Sequence, residues 1–389
     1  LHNIAEHISK NLSDYKRLTC GLLAGDFGKI IFLYKYSNTN PVYESIADSL
    51  LEKLFSTYKL QDYVLTYCNG IAGFGLGLTL LEKDGFISGA SNSLLPFDCL
   101  LSNGVQYYIN NDNIDFLHGI VGLGFYFLSR IQASPDISIH NLTKIVQFLY
   151  SIVKFYTDNT YWATWIFDNI DRTKRYNISL SHGISSIAIL LCRILSLNIS
   201  PILNNRCQFL ITGIRNYLLK QRINPAIYGS FFPMFPKEDG KPIYKSRLAW
   251  CYGDIGISIA LRNIANVNMD DKLMAFSQSI AKFAAEKRIN PKDNMVYDAG
   301  ICHGAAGISQ YFKSIYNRTK ENIYNDAYQH WRNITLDMPI HINGLLQFPK
   351  CDCTKQTMIT CDSILEGNAG CGLMLLNADN ILNNILLYE

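Results

Sequence analysis

Apolar residues recur along most of this chain with the spacing of helices rather than the alternation of strands. The stretches IAGFGLGLTLLEK, ISSIAILLCRILS, IGISIALRNIA and AGISQYFKSIY show this periodicity, and each comes just after a glycine-containing step. Similar steps, most of them Gly-x-x-Gly, begin at Gly25, Gly70, Gly119, Gly183, Gly253, Gly304 and Gly367. The pattern predicts seven repeats, each opening with a turn that leads into a helix.

The intervals between these steps indicate the size of one repeat. They are 45, 49, 64, 70, 51 and 63 residues, each long enough for two helices and a loop. A helical hairpin cannot bury its apolar face alone, whereas closing seven of them into a ring gives every hairpin two neighbours. We therefore predict an all-α fold, a seven-fold α/α toroid with seven inner and seven outer helices, as a single domain over residues 1–389.

The glycines have a predicted role at the start of each inner helix, where two of them one turn apart would let backbones approach closely. The helix amino ends are expected to point at one rim and to offer partial positive charge and free backbone donors there. Ser186 departs from the pattern, because it stands where the fourth repeat would have its second glycine. We expect this to affect local helix packing.

The residues directly before the seven glycines are expected to project from that rim toward a central cavity. In chain order they are Ala24, Asn69, His118, His182, Tyr252, His303 and Glu366. All but the first are polar or ionisable, although the helices that follow are apolar. The sequence therefore predicts a functional mouth at this rim.

One position earlier the chain has Leu23, Cys68, Leu117, Ser181, Cys251, Cys302 and Leu365. Cys251 and Cys302 hold matching positions in consecutive repeats, so we expect them to meet, and His303 follows Cys302 directly. Two thiolates and an imidazole are the protein ligands of a catalytic zinc site that keeps one coordination position open. We predict one Zn²⁺ there, with His182 nearby and His118 in a structural or lining role.

Composition and charge exclude several other classes of function. Hydrophobic residues make up 48% of the chain and charged residues 17%, with a net charge of +3 and no run of five like charges, so nothing favours binding to nucleic acid or to a membrane surface. No apolar run approaches the length of about 18 residues that a membrane span needs. Residues 1–18 mix acids with bases, unlike a secretory signal, and we expect a cytoplasmic protein.

The eleven cysteines do not indicate a disulfide framework. Cys20, Cys192, Cys207 and Cys371 lie in apolar, helix-like stretches, where cysteine behaves as a small buried hydrophobe. A second cysteine cluster stands at Cys351, Cys353 and Cys361, but no histidine is near it. We therefore favour reduced, buried thiols and expect no metal at this second cluster.

Several motifs together carry a family resemblance. They are Trp-Cys-Tyr-Gly at 250–253, Cys-His-Gly at 302–304, Ser-His-Gly at 181–183 and Leu-Glu-Gly-Asn-Ala-Gly at 365–370. They resemble the lanthionine synthetase C-like family, which includes the lanthipeptide cyclases, and the likeness runs through all seven turns. The resemblance implies a seven-fold α/α toroid and one zinc bound by Cys251, Cys302 and His303.

The resemblance also implies a catalytic neighbourhood and a reaction. The matching positions are Asp115, His182, Arg247 and Tyr252. The implied reaction adds cysteine thiols of a dehydrated precursor peptide to dehydroalanine or dehydrobutyrine, which closes thioether rings of an antibiotic-type peptide. The implied partners are that peptide and a lanthipeptide dehydratase.

The chemistry also follows from the residues themselves. A zinc ion with two thiolates and a neutral imidazole is formally uncharged, so a bound substrate cysteine would lose its proton and become a nucleophile for conjugate addition. His182 is then the first candidate for the general acid that protonates the α-carbon. Arg247 would stabilise the enolate oxygen or hold Asp115, and Asp115 would orient His182 or Arg247. Tyr252 would either donate a hydrogen bond to the substrate or only pack. The alternative for His182, Arg247 and Asp115 is a rim ion pair without a catalytic role.

Three alternatives remain open at this stage. Glutathione would replace the peptide thiol in the first, giving a single addition instead of a ring. The second makes the zinc structural and the toroid a non-catalytic peptide-binding scaffold. In the third, the chain is another kind of α/α barrel. Prenyltransferases have an aspartate in their zinc ligand set, and carbohydrate-active toroids need paired rim carboxylates; the rim offers neither.

Overall fold

A computed structural model describes residues 1–57, 64–153, 166–167, 174–237, 244–342, 344–352, 355 and 357–388. The α-helices are α1 (His2–Asp14), α2 (Asp26–Ser37), α3 (Val42–Thr57), α4 (Ile71–Lys83), α5 (Ala90–Ser93), α6 (Leu95–Asn110), α7 (Ile120–Ser129), α8 (Pro135–Ser151), α9 (Ile184–Ser196), α10 (Pro201–Lys220), α11 (Pro225–Tyr228), α12 (Asp254–Asn268), α13 (Asp271–Lys287), α14 (Ala305–Thr319), α15 (Asn322–Asp337), α16 (Asn368–Leu375) and α17 (Asp379–Ile385). A short 3₁₀ helix spans Lys292–Asn294. The predicted all-α class is confirmed.

Short strands form three separate antiparallel pairs within the described ranges. The strands are β1 (Ile166–Phe167) with β2 (Lys174–Arg175), β3 (Ile340–Ile342) with β4 (Leu345–Gln347), and β5 (Lys350–Asp352) with β6 (Thr357–Ile359). The last two pairs stand between α15 and α16 in the chain. The helical periodicity of the sequence did not predict them.

The chain divides into two compact units. The first unit comprises Leu1–Ala90 with Ala285–Glu389, and the second comprises Ser91–Ala284. The first unit holds α1–α4, α14–α17 and β3–β6, the second holds α6–α12, β1 and β2, and the residues of α5 and α13 extend across these limits. The single domain over 1–389 stays a prediction.

A helix begins directly after each of the seven predicted glycines. These helices are α2, α4, α7, α9, α12, α14 and α16. In the first unit α14 contacts α16, α16 contacts α2, and α2 contacts α4; in the second unit α7 contacts α9, and α9 contacts α12. Consecutive glycine-started helices therefore pack side by side within each unit.

The intervening helices complete the predicted hairpins. Helix α3 packs on α2 and α15 on α14, while α8 packs on α7 and α10 on α9. Helix α3 buries one stripe, from Tyr43 to Leu54, whereas every residue from Ile120 to Phe127 in α7 is buried. The glycine-started helices therefore form the core. None of the helices in the described ranges combines the length and the hydrophobicity that crossing a bilayer requires.

In most of the glycine-started helices, carbonyl groups of the preceding loop accept the first N–H groups of the helix. The Ile71 N–H donates to the Val64 carbonyl over 2.8 Å, and the Ile120 N–H donates to the Asn113 carbonyl over 3.0 Å. A Cβ at Gly70 would lie 2.0 Å from the same Val64 oxygen, so only glycine lets the loop fold this tightly. The close approach is thus between helix and loop. The expectation of free backbone donors was wrong at these starts, because loop carbonyls already accept the first N–H groups.

Ser186 is accommodated without a break in α9. It is buried, and its hydroxyl donates to the Gly183 carbonyl over 3.0 Å. The helix continues from Ile184 to Ser196. The departure from the glycine pattern therefore leaves this helix continuous.

Backbone hydrogen bonds tie neighbouring turns of the first unit together at one equivalent position. The Cys302 N–H donates to the Leu365 carbonyl over 2.7 Å, the Leu365 N–H to Leu23 over 2.9 Å, and the Leu23 N–H to Cys68 over 2.9 Å. All four residues lie two positions before a turn glycine. The turns therefore pack in register, with the last turn of the chain beside the first.

Candidate metal and catalytic site

Cys302 and His303 lie together in the turn that precedes α14 of the first unit. Their ligand atoms are within 4.8 Å of each other, and both side chains are half-buried. The Cys302 backbone is anchored by its bond to Leu365. A thiol and an imidazole this close are a donor set that suits zinc.

Asp298 stands behind His303 in the same turn. Its Oδ2 atom lies 3.9 Å from His303 Nε2, and its side chain is only 2% exposed. The carboxylate is held in place because its Oδ1 accepts the Gly300 N–H over 3.0 Å and its Oδ2 accepts the Cys351 N–H over 2.9 Å. A carboxylate beside a ligating imidazole typically orients the ring and raises its basicity.

Cys251 occupies the matching position in the turn before α12 of the second unit. It is buried, and its carbonyl accepts the N–H groups of Leu180 and Ser181 over 3.0 and 3.3 Å. These bonds fix the turn before α12 against the turn before α9, which carries His182. Cys251 lies close enough to His182 that a thiolate at Cys251 would raise the pKa of that imidazole.

His182 forms a short pair with Asp115. The distance from His182 Nδ1 to Asp115 Oδ2 is 2.7 Å, and the side chains are 29% and 16% exposed. Asp115 is itself fixed, since its Oδ1 accepts the His118 N–H over 2.7 Å and its own N–H donates to Asn113 Oδ1 over 3.1 Å. Burial lowers the pKa of His182, but the hydrogen bond and charge of Asp115, with the charge of Cys251, outweigh it and raise the pKa above its ordinary value. The pair therefore favours an imidazolium.

His118 lies face to face with His182, with ring centroids 6.1 Å apart and planes at 17°. Desolvation lowers the pKa of His118; Asp115 opposes this, and His182 adds to the lowering. The two neighbouring imidazoles therefore favour different charge states, with the proton on His182. The lining or structural role of His118 stays a prediction.

Tyr252 follows Cys251 and approaches the same imidazole. Its ring centroid is 6.4 Å from that of His182, and its hydroxyl accepts a hydrogen bond from Asn177 Nδ2 over 3.2 Å. Burial raises the pKa of Tyr252. The phenol therefore stays protonated and can donate a hydrogen bond.

Arg247 is half-buried in the loop before α12, with its Nε buried and without a hydrogen-bond partner among the described residues. No ion pair joins it to Asp115 within the described part of the chain. Asp115 therefore contacts His182 rather than Arg247, and the roles of the two residues in the reaction stay predictions.

The sequence interpretation missed a polar residue that recurs six positions before three of the turn glycines. Asn113, Asn177 and Asp298 each use one side-chain oxygen to accept the N–H two residues later, over 3.1, 2.7 and 3.0 Å respectively. This is an Asx turn, and its second polar atom is left for other contacts. Aligning the loops as well as the glycines would have revealed the recurrence.

The other described cysteines differ in their burial. Cys20, Cys192, Cys207 and Cys371 are buried, as expected, and burial raises the pKa of Cys207 to about 12. In the second cysteine cluster, Cys353 lies outside the described residues. Neither Cys351 nor Cys361 joins a group of three metal-binding side chains in the described ranges.

Comparison with known proteins defines the family. The sequence pattern of the family described as "Lanthionine synthetase C-like protein" matches residues 5–385, and the chain belongs to this family. A solved structure named "Nisin cyclase", a helical toroid, is similar over 100% of this chain and 98% of its own, with a TM-score of 0.75 and 19% sequence identity. This likeness confirms the predicted toroid fold.

Two further comparisons add no argument. A structure of cellobiose 2-epimerase from Bacillus thermoamylovorans covers 94% of this chain and 89% of its own, at 10% identity and a TM-score of 0.41, which is too low to interpret. No curated protein sequence matches the chain.

Proposed function

We propose that this chain is a zinc-dependent lanthipeptide cyclase, which joins cysteine thiols of a dehydrated precursor peptide to dehydroalanine or dehydrobutyrine. The observation that carries the proposal is the Asp115–His182 pair beside Cys251 in the second unit. An imidazole that favours its protonated form, beside a candidate zinc ligand, supports an addition in which thiol and proton are delivered together. Family membership and the likeness to nisin cyclase support the same reaction.

The proposed zinc ligands are Cys251, Cys302 and His303. Their donor set fits the metal, because two thiolates and one imidazole leave the fourth tetrahedral position for a substrate. The proximity of Cys302 to His303, and of Asp298 to His303, supports this assignment. When bound, zinc would lower the pKa of a peptide thiol from its ordinary value near 8.5, so that the thiolate is abundant at neutral pH.

The chain's own residues would manage charge and protons. As sulfur bonds to the β-carbon, the π electrons of the alkene move toward the carbonyl oxygen, and His182 gives its proton to the α-carbon. Asp115 orients the imidazole and stabilises its protonated form before each addition. The proton lost by the thiol balances the one gained by carbon, so ring closure is an isomerisation. Arg247 and Tyr252 are assigned to the negative charge that develops on the carbonyl oxygen.

The cyclisation test follows the peptide's thiols, since ring closure does not change mass. Dehydrated precursor is incubated with and without the enzyme and then treated with a thiol-alkylating reagent. Mass spectrometry shows how many cysteines have been alkylated. We expect the enzyme to make the cysteines resistant to alkylation and Cys251→Ala to abolish that protection. If the cysteines stay reactive while a glutathione mass is added, glutathione is the thiol donor and the ring-forming proposal is wrong.

Metal analysis tests the ligand set separately. We expect about one zinc per chain, with Cys302→Ala losing most of it because a thiolate ligand is removed. The matched control is Cys99→Ala, which removes an exposed cysteine and should retain the metal. Full zinc retention in Cys302→Ala would contradict the assignment. The cytoplasmic location and the dehydratase partner stay predictions.

A further inference from the structure

Asn177 lies beneath the turn that carries His182, and its side chain can be oriented without ambiguity. The residue is buried, and one of its side-chain atoms contacts the Ser179 N–H at 2.7 Å. Because a backbone N–H can only donate, the atom facing it must be the amide oxygen. The amide nitrogen must therefore face Tyr252, whose hydroxyl oxygen lies 3.2 Å away.

This orientation decides what the Tyr252 hydroxyl can do. An amide nitrogen carries hydrogens and no available lone pair, so the Tyr252 oxygen must accept from Asn177. The phenolic proton then cannot point at Asn177 and has to go to another acceptor. Burial raises the pKa of Tyr252 and a hydrogen bond with Ser179 opposes this, so Ser179 also acts as a donor to the Tyr252 oxygen, while the Ser179 oxygen accepts the His182 N–H over 3.2 Å.

We infer that Asn177 is a positioning residue, which fixes Tyr252 as a hydrogen-bond donor toward the carbonyl oxygen of the dehydroamino acid. The inference rests on the proposed cyclase function. In the addition step negative charge develops on that oxygen, and a donor already turned toward it needs no reorientation during the reaction. Tyr252 is half-buried and lies beside the ring of His182. Tyr252 would then donate to the carbonyl oxygen of the dehydroamino acid, and His182 would protonate the α-carbon of the same residue.

The same turn performs other tasks elsewhere, which shows that the contact to Tyr252 is particular to Asn177. In the second unit, Asn113 uses its Nδ2 to bond the His118 carbonyl over 3.0 Å. In the first unit, Asp298 turns its second oxygen toward Cys351 and His303. Only the residue type at this position decides whether the turn presents a donor or an acceptor.

Asn177→Asp is the sharpest test, because it keeps the shape and the bond to the Ser179 N–H but replaces the donor by an acceptor. The Tyr252 proton would then turn to the new carboxylate. We expect kcat for cyclisation to fall about 10- to 100-fold with KM little changed, the range of a hydrogen bond to a charged oxygen. Tyr252→Phe should lower kcat by the same factor. The double variant should lower it no further, since both changes remove the same hydrogen-bond donor.

The matched control is Asn224→Asp, which adds the same charge at an exposed Asx turn that caps α11 and should keep the wild-type kcat. A second readout is the NMR shift of the Tyr252 ring carbon that bears the hydroxyl, in protein labelled at that carbon, with Tyr252→Phe identifying the signal. The shift should move in Asn177→Asp in the direction of a stronger hydrogen-bond donor, at unchanged zinc content.

Two results would overturn the inference: a wild-type kcat in Asn177→Asp, or losses that add in the double variant, as an independent structural role would give. Failure of the proposed function is distinguishable, because the wild-type enzyme would then leave the peptide's cysteines open to alkylation. The NMR shift tests the hydroxyl orientation even in that case, because it needs no turnover.

Discussion

Two carboxylate–cation pairs in the second unit differ in burial and in partners. Asp98 and Arg130 are each 1% exposed and are joined by two bonds of 2.9 Å, while the hydroxyls of Tyr126 and Ser134 donate to the same carboxylate over 2.6 and 2.7 Å. The Asp115–His182 pair instead bridges two rim loops and remains partly exposed.

The first pair is suited to holding the fold, and the second is suited to exchanging a proton. Arginine stays charged at any physiological pH, so the Asp98–Arg130 pair has no proton to exchange and serves to fix α6, α7 and the start of α8. The imidazole of His182 can release and regain a proton near neutral pH, and Asp115 only biases that equilibrium. Burial with full hydrogen bonding marks the first pair, and partial exposure marks the second.

The largest expected effect is on stability, from Asp98→Ala. The change leaves the Arg130 guanidinium buried without its counter-charge, so we expect the free energy of unfolding to fall by about 3–5 kcal/mol. Urea unfolding followed by circular dichroism measures this. The control, Lys355→Ala, removes an exposed partner of Asp352 and should cost about 1 kcal/mol or less. Equal losses of unfolding free energy in the two variants would show that the buried pair stabilises the fold no more than an exposed one.

The next effect is on rate, from His182→Asn. Losing the general acid should slow cyclisation by about two or more powers of ten, with zinc content unchanged and the free energy of unfolding lowered by no more than about 1 kcal/mol. His118→Asn is the matched control, because its ring stacks on His182 while only its backbone N–H bonds Asp115. Unchanged turnover in His182→Asn would assign the proton to Arg247 or to water.

The sequence predicted the features that repeat. Seven glycines, each followed by an apolar helical stretch, located the start of every core helix, because a tight loop under a helix tolerates no Cβ. The same register aligned Cys251 with Cys302. Adding the position six residues before each glycine would have exposed Asn177 and Asp298 as well.

Features that do not repeat were out of reach. Asp98 and Arg130 are 32 residues apart, and nothing in the local pattern indicates that two charged residues meet inside the core. The contact from Asn177 to Tyr252 spans 75 residues and depends on how two turns pack. The strands β3–β6 lie in a stretch without helical periodicity, and their short length gives too little alternation to recognise.

A smaller effect concerns pH, from Asp115→Asn. Asp115 raises the pKa of His182, so removing its charge should lower that pKa and reduce the protonated fraction at alkaline pH. The alkaline limb of the kcat profile should move to lower pH, with a loss of about tenfold at about pH 8, the low end for a hydrogen bond to a charged group. An alkaline limb unmoved by Asp115→Asn would exclude His182 as the titrating acid.

The smallest effect compares the two pairs through the pH dependence of stability. The pKa of His182 is raised in the folded chain, so its pairing with Asp115 stabilises fully below the ordinary histidine pKa near 6.5 and is lost as pH rises through the folded value. His182→Asn should therefore cost up to about 1 kcal/mol at about pH 6 and less at about pH 9. Asp98→Ala should cost the same at both, because the buried Arg130 guanidinium that loses its partner stays charged at both pH values. Unfolding free energies of the three proteins at the two pH values decide this, and a pH-independent loss in His182→Asn would show that the rim pair, too, is only structural.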